Sequence, residues 1–262
     1  MGKMDGLVAV VTGASRGIGE EIAKRFAGDG AHVFVTARTV EEGDHVFAGS
    51  IASTVNAICD AGGSAEAVAA DLGKAEDRDR LVATTGPVDI LVNNAAITYF
   101  EPVHDFSESH YRLMFEVQVR APFELAQAYL PAMRERGRGW ILNISSGAAI
   151  HPKGPPYTRT MGGGTVYGMC KAALERFTTG LASEVWNDGV AVNVLSPSGL
   201  VLTPGVLHHK LDQFAPPEFQ EPVSYMAEAA YALCSGDPKV LTGKVTYAKP
   251  ILEELSIPLP AG

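Results

Sequence analysis

Residues 7–19 read Leu7-Val8-Ala9-Val10-Val11-Thr12-Gly13-Ala14-Ser15-Arg16-Gly17-Ile18-Gly19. The first five are an apolar run of strand length, rich in β-branched side chains, as in a strand buried on both faces. Ile18, Ile22 and Phe26 follow at a spacing of four, the repeat of one helix face. Three glycines lie between strand and helix in the pattern Gly-x3-Gly-x-Gly. They allow a tight turn and a close backbone approach, and the helix behind them offers unpaired N–H groups to an anion. A bare glycine pattern carries little weight. Set between the first strand and the first helix, it predicts a dinucleotide phosphate turn. Without a ligand, the same stretch would be only a glycine-rich turn.

Outward from this turn the alternation continues. Residues 31–37, 65–70, 88–92, 140–144, 190–195 and 244–247 read as further strands. Residues 74–85, 107–136, 166–186 and 223–234 read as helices between them, and Gly62-Gly63 end another. Regular strand–helix alternation with apolar strands predicts a doubly wound Rossmann α/β fold, a parallel sheet of about seven strands with helices on both faces. No linker separates two compositions, so residues 1–262 are expected to form a single domain. Three stretches break the pattern on the side where strands end, which is where such sheets bind ligands. Residues 39–50 are acidic and aperiodic, 151–165 are rich in Gly and Pro, and 199–222 are proline-rich with His208-His209.

Composition narrows the function. The 262 residues carry 30 acidic and 21 basic side chains, a net charge of -9. Such a chain lacks the general phosphate-attracting surface of a nucleic-acid binder. No apolar run approaches the ~18 residues of a membrane span, and the start of the chain is too short in apolar residues for a signal peptide. Cys59, Cys170 and Cys234 form neither a disulfide framework nor a zinc pattern, which suits reduced thiols in a cytoplasmic protein. Adjacent His208 and His209 lack an acidic or Cys partner at metal spacing, so no metal is expected.

Taken in order, the motifs resemble those of the short-chain dehydrogenase/reductase family over residues 5–248. Gly13, Ser15, Arg16, Gly17, Ile18 and Gly19 resemble its cofactor turn, and Asp71-Leu72 its pair beside the adenine. Asn93-Asn94-Ala95-Ala96 resembles its Asn-Asn-Ala-Gly, with Ala96 for Gly. Ile144-Ser145-Ser146 ends the fifth strand, and Tyr167-x3-Lys171 lies on a helix. Val201 and Thr203 resemble the stretch over the nicotinamide, after a Pro197-Ser198-Gly199 that is one residue longer than the family's Pro-Gly. Thr242-Gly243 resembles the entry to the last strand. The resemblance implies an NAD(P)-dependent oxidoreductase acting on an alcohol or carbonyl. It also implies the roles. Tyr167 is the acid/base, Lys171 lowers its pKa and holds the ribose, and Ser146 orients the substrate. Gln118 stands where the family has the Asn that holds a proton-relay water. Its amide reaches one methylene further, which leaves open an impaired relay and hence an NADP-binding sensor or scaffold. Dimers or tetramers, a homotetramer among them, are implied through the helices at 107–136 and 166–186.

The residues carry part of this reading themselves. Tyr167 and Lys171, four apart on a helix, share one face. A free phenol has a pKa of ~10, poor for proton transfer near neutrality. A neighbouring ammonium favours the phenolate and is expected to lower that value, while Ser146 polarises the carbonyl oxygen. The second strand ends Thr36-Ala37-Arg38, without the acid that accepts from the ribose hydroxyls of NAD. Arg38 and Arg16 suit a 2′-phosphate instead. NADP (NADPH) is therefore the preferred cofactor, and Glu41 and Glu42 nearby keep NAD possible.

Ser146 and Tyr167 stand 21 apart, more than is usual in the family. The surplus carries His151, Lys153 and Arg159 with no acid, and either contacts an anionic acyl thioester or is a solvated loop. Tyr157 has Met161, not Lys, four residues on, and is no second candidate. Residues 199–222 read as a substrate lid with Val206, Leu207, Leu211 and Phe214 on its apolar side, which favours an apolar substrate. Cys170 reads as packing beside Lys171.

Overall fold

The computed structural model describes residues 2–157, 162–208, 210–214 and 216–260. Its strands are β1 (Val8–Thr12), β2 (His32–Ala37), β3 (Ser64–Ala69), β4 (Ile90–Asn93), β5 (Gly139–Ile144), β6 (Val190–Ser196) and β7 (Val245–Tyr247). They form one seven-stranded sheet in the order β3-β2-β1-β4-β5-β6-β7, every neighbouring pair parallel. The chain starts in the middle, winds out to β3, and returns across β1 to build the other half. The order reverses between β1 and β4, and the carboxyl ends of these strands open the crevice that holds the site.

The helices are α1 (Gly17–Ala27), α2 (Ile51–Asp60), α3 (Ala75–Thr85), α4 (Glu108–Phe115), α5 (Ala121–Arg136), α6 (Thr165–Val185), α7 (Pro204–His208), α8 (Val223–Ser235) and α9 (Ala248–Glu254). Alternation along each strand divides the core into two layers. Ala9, Val11, Ile90 and Val92 face one way, against Ile22 and Phe26 of α1 and Met226 and Ala230 of α8. Val10, Leu91, Ile141 and Val192 face the other way, against Leu125, Tyr129 and Met133 of α5. Ile22 and Phe26 are fully buried, each contributing about 2–3 kcal/mol of transfer free energy. That anchors α1, and with it the glycine turn, to the sheet.

Two expectations need correction. The third strand is not buried on both faces: in β3 only Val68 is buried, because β3 lies at the sheet edge with β2 as its one partner. Nor is 107–136 a single regular helix. A π-turn, Glu116–Arg120, separates α4 from α5, with the Ala121 N–H donating back to the Glu116 carbonyl. The cause is Pro122, which has no N–H to give and whose ring presses on the carbonyl four residues back, that of Gln118.

Candidate active site

The glycine turn is held from behind. Asn94 Nδ2 donates to the carbonyls of Thr12 (2.8 Å) and Gly13 (3.1 Å). The Asn94 and Ala95 amides donate to Thr12 Oγ1 at 3.0 and 3.1 Å. Space there is exhausted. A Cβ on Gly13 would lie 2.7 Å from Ala95 Cα, and one on Gly19 2.4 Å from Asn94 Nδ2. Gly17 has φ +61°, which side chains rarely adopt, and a Cβ there would meet the Thr203 methyl at 3.1 Å. Thr203 thus closes over the turn, and its Oγ1 accepts from the Val206 N–H at 3.3 Å at the start of α7. Val201 beside it is buried. No side chain among the described residues caps the N-terminus of α1, whereas Ser50 and Ser53 form a capping box on α2. The first amides of α1 are left for an anion, which is the donor set that a dinucleotide pyrophosphate needs.

Asp71 and Leu72 follow β3 at the same end of the sheet. Asp71 Oδ1 accepts from the Gly73 N–H at 3.0 Å, and the Asp71 N–H donates to Asp77 Oδ2 at 2.8 Å. Arg38 ends β2, exposed and without a hydrogen bond or ion pair among the described residues. Arg16 differs from the expectation of a second open cation. Its Nη2 donates to Thr39 Oγ1 (3.0 Å) and the Gly49 carbonyl (2.7 Å), so the 39–50 loop occupies it.

Ser146, Tyr167 and Lys171 meet where β5 ends. Lys171 Nζ, buried, donates to the Ile144 carbonyl at 3.0 Å and lies 5.6 Å from the Tyr167 ring centre. Ser146 Oγ accepts from the Ala148 N–H at 3.2 Å, and its hydroxyl hydrogen-bonds the Tyr167 phenol. The titration of the pair departs from the expectation. Burial pushes the Tyr167 phenol up, opposed by the Ser146 hydroxyl, so proximity to Lys171 does not by itself produce a lowered tyrosine. Burial also pushes the Lys171 ammonium down, from 10.5 to about 8. Between these values the unfolded chain holds a proton that the folded chain has released, so this residue makes stability rise with pH across that window. Below it, the cost of burying the charge is felt in full. In urea titrations of the protein without cofactor, a Lys171→Met variant should lack that rise.

Gln118 sits in the π-turn, buried. Its Nε2 donates to the Ile97 carbonyl at 2.8 Å, and its Oε1 has no hydrogen-bond partner among the described residues. The wall beside Tyr167 is apolar. The Phe100 ring centre lies 6.1 Å from that of Tyr167, and Ile97, Tyr99, Met114, Val166 and Cys170 pack in one cluster with it. Cys170 is packing, its thiol pushed up to about 11 by burial.

The family model for short chain dehydrogenases matches residues 7–211. The chain belongs to the short-chain dehydrogenase/reductase family. It is 38% identical over 211 residues to dehydrogenase/reductase SDR family member 4 of Bos taurus, a match spanning 76% of this chain and 67% of the bovine protein. A metagenomic short-chain oxidoreductase in complex with NADP is similar in structure, with a TM-score of 0.73 at 29% identity over 94% of this chain and 97% of the other. So is a 3-oxoacyl-(acyl-carrier-protein) reductase from Agrobacterium tumefaciens C58 with NADP bound, with a TM-score of 0.78 at 28% identity over 93% of each chain. This dehydrogenase/reductase is accordingly an NAD(P)-dependent oxidoreductase. No helix among its described residues is long and apolar enough to cross a membrane, and no three His, Cys, Asp or Glu side chains among them gather as metal ligands.

The 199–222 loop of this dehydrogenase/reductase has its two roots tied together. The Leu200 N–H donates to the Phe219 carbonyl (2.6 Å) and the Glu221 N–H to the Leu200 carbonyl (3.1 Å), with a parallel bridge between Leu200 and Gln220. Glu221, 4% exposed, accepts from the Ser198 N–H at 2.9 Å. Its carboxylate thereby secures the extra residue of Pro197-Ser198-Gly199, and burial pushes its pKa up. Sequence reasoning missed Glu221 because a clamp between residues 23 apart leaves no periodic signal. Arg159, Met161 and His209, with the side chains of Leu211 and Phe214, lie outside the described residues. His151 and Lys153 are exposed.

Proposed function

We propose that this dehydrogenase/reductase interconverts a secondary alcohol and a ketone, with NADP as its preferred cofactor. The carrying observation is the meeting of Ser146, Tyr167 and buried Lys171 at the carboxyl end of β5, beside the glycine turn. The nicotinamide, when bound, supplies or accepts the hydride. Ser146 turns its hydroxyl proton from the Tyr167 phenol to the substrate oxygen and holds that oxygen against Tyr167. The phenol gives that oxygen a proton in reduction and takes one in oxidation. Lys171 supports the phenolate, and Gln118, with Oε1 unspent, has an acceptor to offer a water on the path from Lys171. Gly13 to Gly19 with the free amides of α1 hold the pyrophosphate, Asp71 and Leu72 flank the adenine, and Ala95, Ala96, Val201 and Thr203 border the nicotinamide.

The preference for NADP rests on Arg38, which stands open at the end of β2 with no acid in its place. Arg38→Ala is expected to weaken NADPH about tenfold and leave NADH within twofold, measured by nicotinamide fluorescence titration. Equal affinities in the parent protein would overturn the preference and leave an NAD-linked enzyme. The wall of Ile97, Tyr99, Phe100 and Val166 supports an apolar carbonyl substrate. A panel of aliphatic, aromatic and steroid-like ketones followed by nicotinamide absorbance tests the reaction. Cofactor binding without turnover on any of them would leave a sensor or scaffold.

The outer faces of α5 and α6 support self-association. An apolar groove of about 440 Å³ there is lined by Phe123, Leu130 and Phe177 and flanked by Arg176 and Glu184. Its two opposite charges are complementary to those of a second copy turned end for end.

A further inference from the structure

The 39–50 loop carries a histidine that the sequence did not single out. Arg16 Nη1 lies 3.3 Å from His45 Nδ1, and the Phe47 N–H donates to the same nitrogen at 3.1 Å. A guanidinium and a backbone amide only donate. Nδ1 therefore carries the lone pair, and the ring proton is on Nε2. That Nε2–H has no hydrogen-bond partner among the described residues. The Phe47 ring packs between His45 (4.6 Å between centres) and His208 of α7 (4.9 Å), and the Arg16 guanidinium lies 5.7 Å from its centre. Arg16, ordered by Thr39 and Gly49, is thus the anchor of the loop.

The groups that act most strongly on His45 disfavour its charge. Arg16 from the glycine turn, Arg38 from β2 and His208 from α7 all oppose a positive charge on its ring. Two of the loop's three carboxylates are engaged with its own amides: Glu42 takes the Gly49 N–H, and Asp44 the N–H groups of Val40 and Glu41, while Glu41 is exposed. An open Arg38 and the unpartnered Nε2–H of His45 thus belong to one electrostatic neighbourhood, with the exposed Glu41 as the loop carboxylate not held by an amide.

We propose that His45 is a cofactor-selecting residue, donating its Nε2–H to the 2′-phosphate of NADP beside Arg38, while Arg16 holds the loop that presents it. The proposal rests on NADP being the cofactor and goes beyond the arginines. A dianion reverses the local field, so its arrival favours a second proton on His45. NADP binding then takes up protons, and affinity for it increases as pH falls through the range in which His45 gains its second proton.

The test is calorimetric titration with NADP+ and NAD+ in two buffers of different ionisation heat, on the parent protein, His45→Asn and His45→Ala. Asn places an oxygen where Nδ1 was, keeping both hydrogen bonds of the loop and removing the Nε2–H. His45→Asn is expected to weaken NADP+ about tenfold, leave NAD+ within twofold, and lower the proton uptake that accompanies NADP+ binding. Unchanged NADP+ affinity and proton uptake in His45→Asn would overturn the proposal. So would a loss seen with Ala and not with Asn, which would make His45 a strut of the loop alone. A parent protein that binds NAD+ as tightly as NADP+ fails the cofactor reading instead, and the two failures are distinguishable in one data set.

Discussion

Tyr167→Phe should lower kcat by roughly 10²–10⁴-fold and leave cofactor affinity nearly unchanged. The substitution removes one oxygen and keeps the ring that packs beside Phe100 and the Lys171 ammonium, so the cleft retains its shape. What is lost, on the proposed mechanism, is the group that exchanges a proton with the substrate oxygen while Ser146 holds it. The predicted signature is therefore split. Nicotinamide fluorescence reports normal binding, single-turnover absorbance reports almost no hydride transfer, and the melting temperature stays close to that of the parent. A Tyr167→Phe protein that turns over a confirmed substrate at the parent rate would remove the acid/base role altogether.

The largest expected loss of stability lies elsewhere. Arg78 on α3 is 2% exposed. Its Nε meets Glu124 at 2.7 Å, its Nη2 meets Glu116 at 2.9 Å, and its Nη1 donates to the Leu72 carbonyl at 2.6 Å. One guanidinium thus joins α3, α5, the π-turn that carries Gln118, and the residue expected beside the adenine. Arg78→Met keeps much of the volume but leaves the Leu72 carbonyl unpaired and Glu116 and Glu124, each about a quarter exposed, to the exposed Arg120 alone. Losing the three charge-assisted bonds and leaving that carbonyl unsatisfied costs about 2–4 kcal/mol. For a chain of this size that lowers Tm by roughly 4–8 °C. Arg78→Lys should recover only part of the loss, because an ammonium cannot reach three acceptors with a planar fork. A calorimetric change below about 1 kcal/mol for Arg78→Met would show that the network is ornamental.

These two residues differ in how far the sequence announces them. Tyr167 is legible because its partner is four residues away on a helix and its companions come in family order. The strands were legible for a similar reason, since a run such as Val190 to Leu195 carries its burial in its own composition. Arg78 sits within Ala75-Glu76-Asp77-Arg78-Asp79-Arg80, which reads as a solvated charged face, and its acceptors lie 38 and 46 residues away. Glu221 and His45 are hidden in the same way. The raised phenol of Tyr167 was missed for another reason. Spacing establishes that Lys171 is near, but the sign of the shift depends on burial, and Lys171 is itself buried and turned to Ile144. Pro122 was in plain view within a helical pattern, and its effect, the π-turn at Gln118, was a local consequence that periodicity alone does not state.

The tied roots of the 199–222 loop bear on how this enzyme can diversify. Because Leu200, Gln220 and Glu221 close the loop at its base, the part of it beyond α7 can be lengthened, shortened or replaced without displacing β6, α8 or the Thr203 that covers the glycine turn. The stretch is a cassette. A new substrate range can be grafted between two fixed points while the hydride-transfer machinery on the sheet stays as it is, whether the graft is made by natural drift or at the bench.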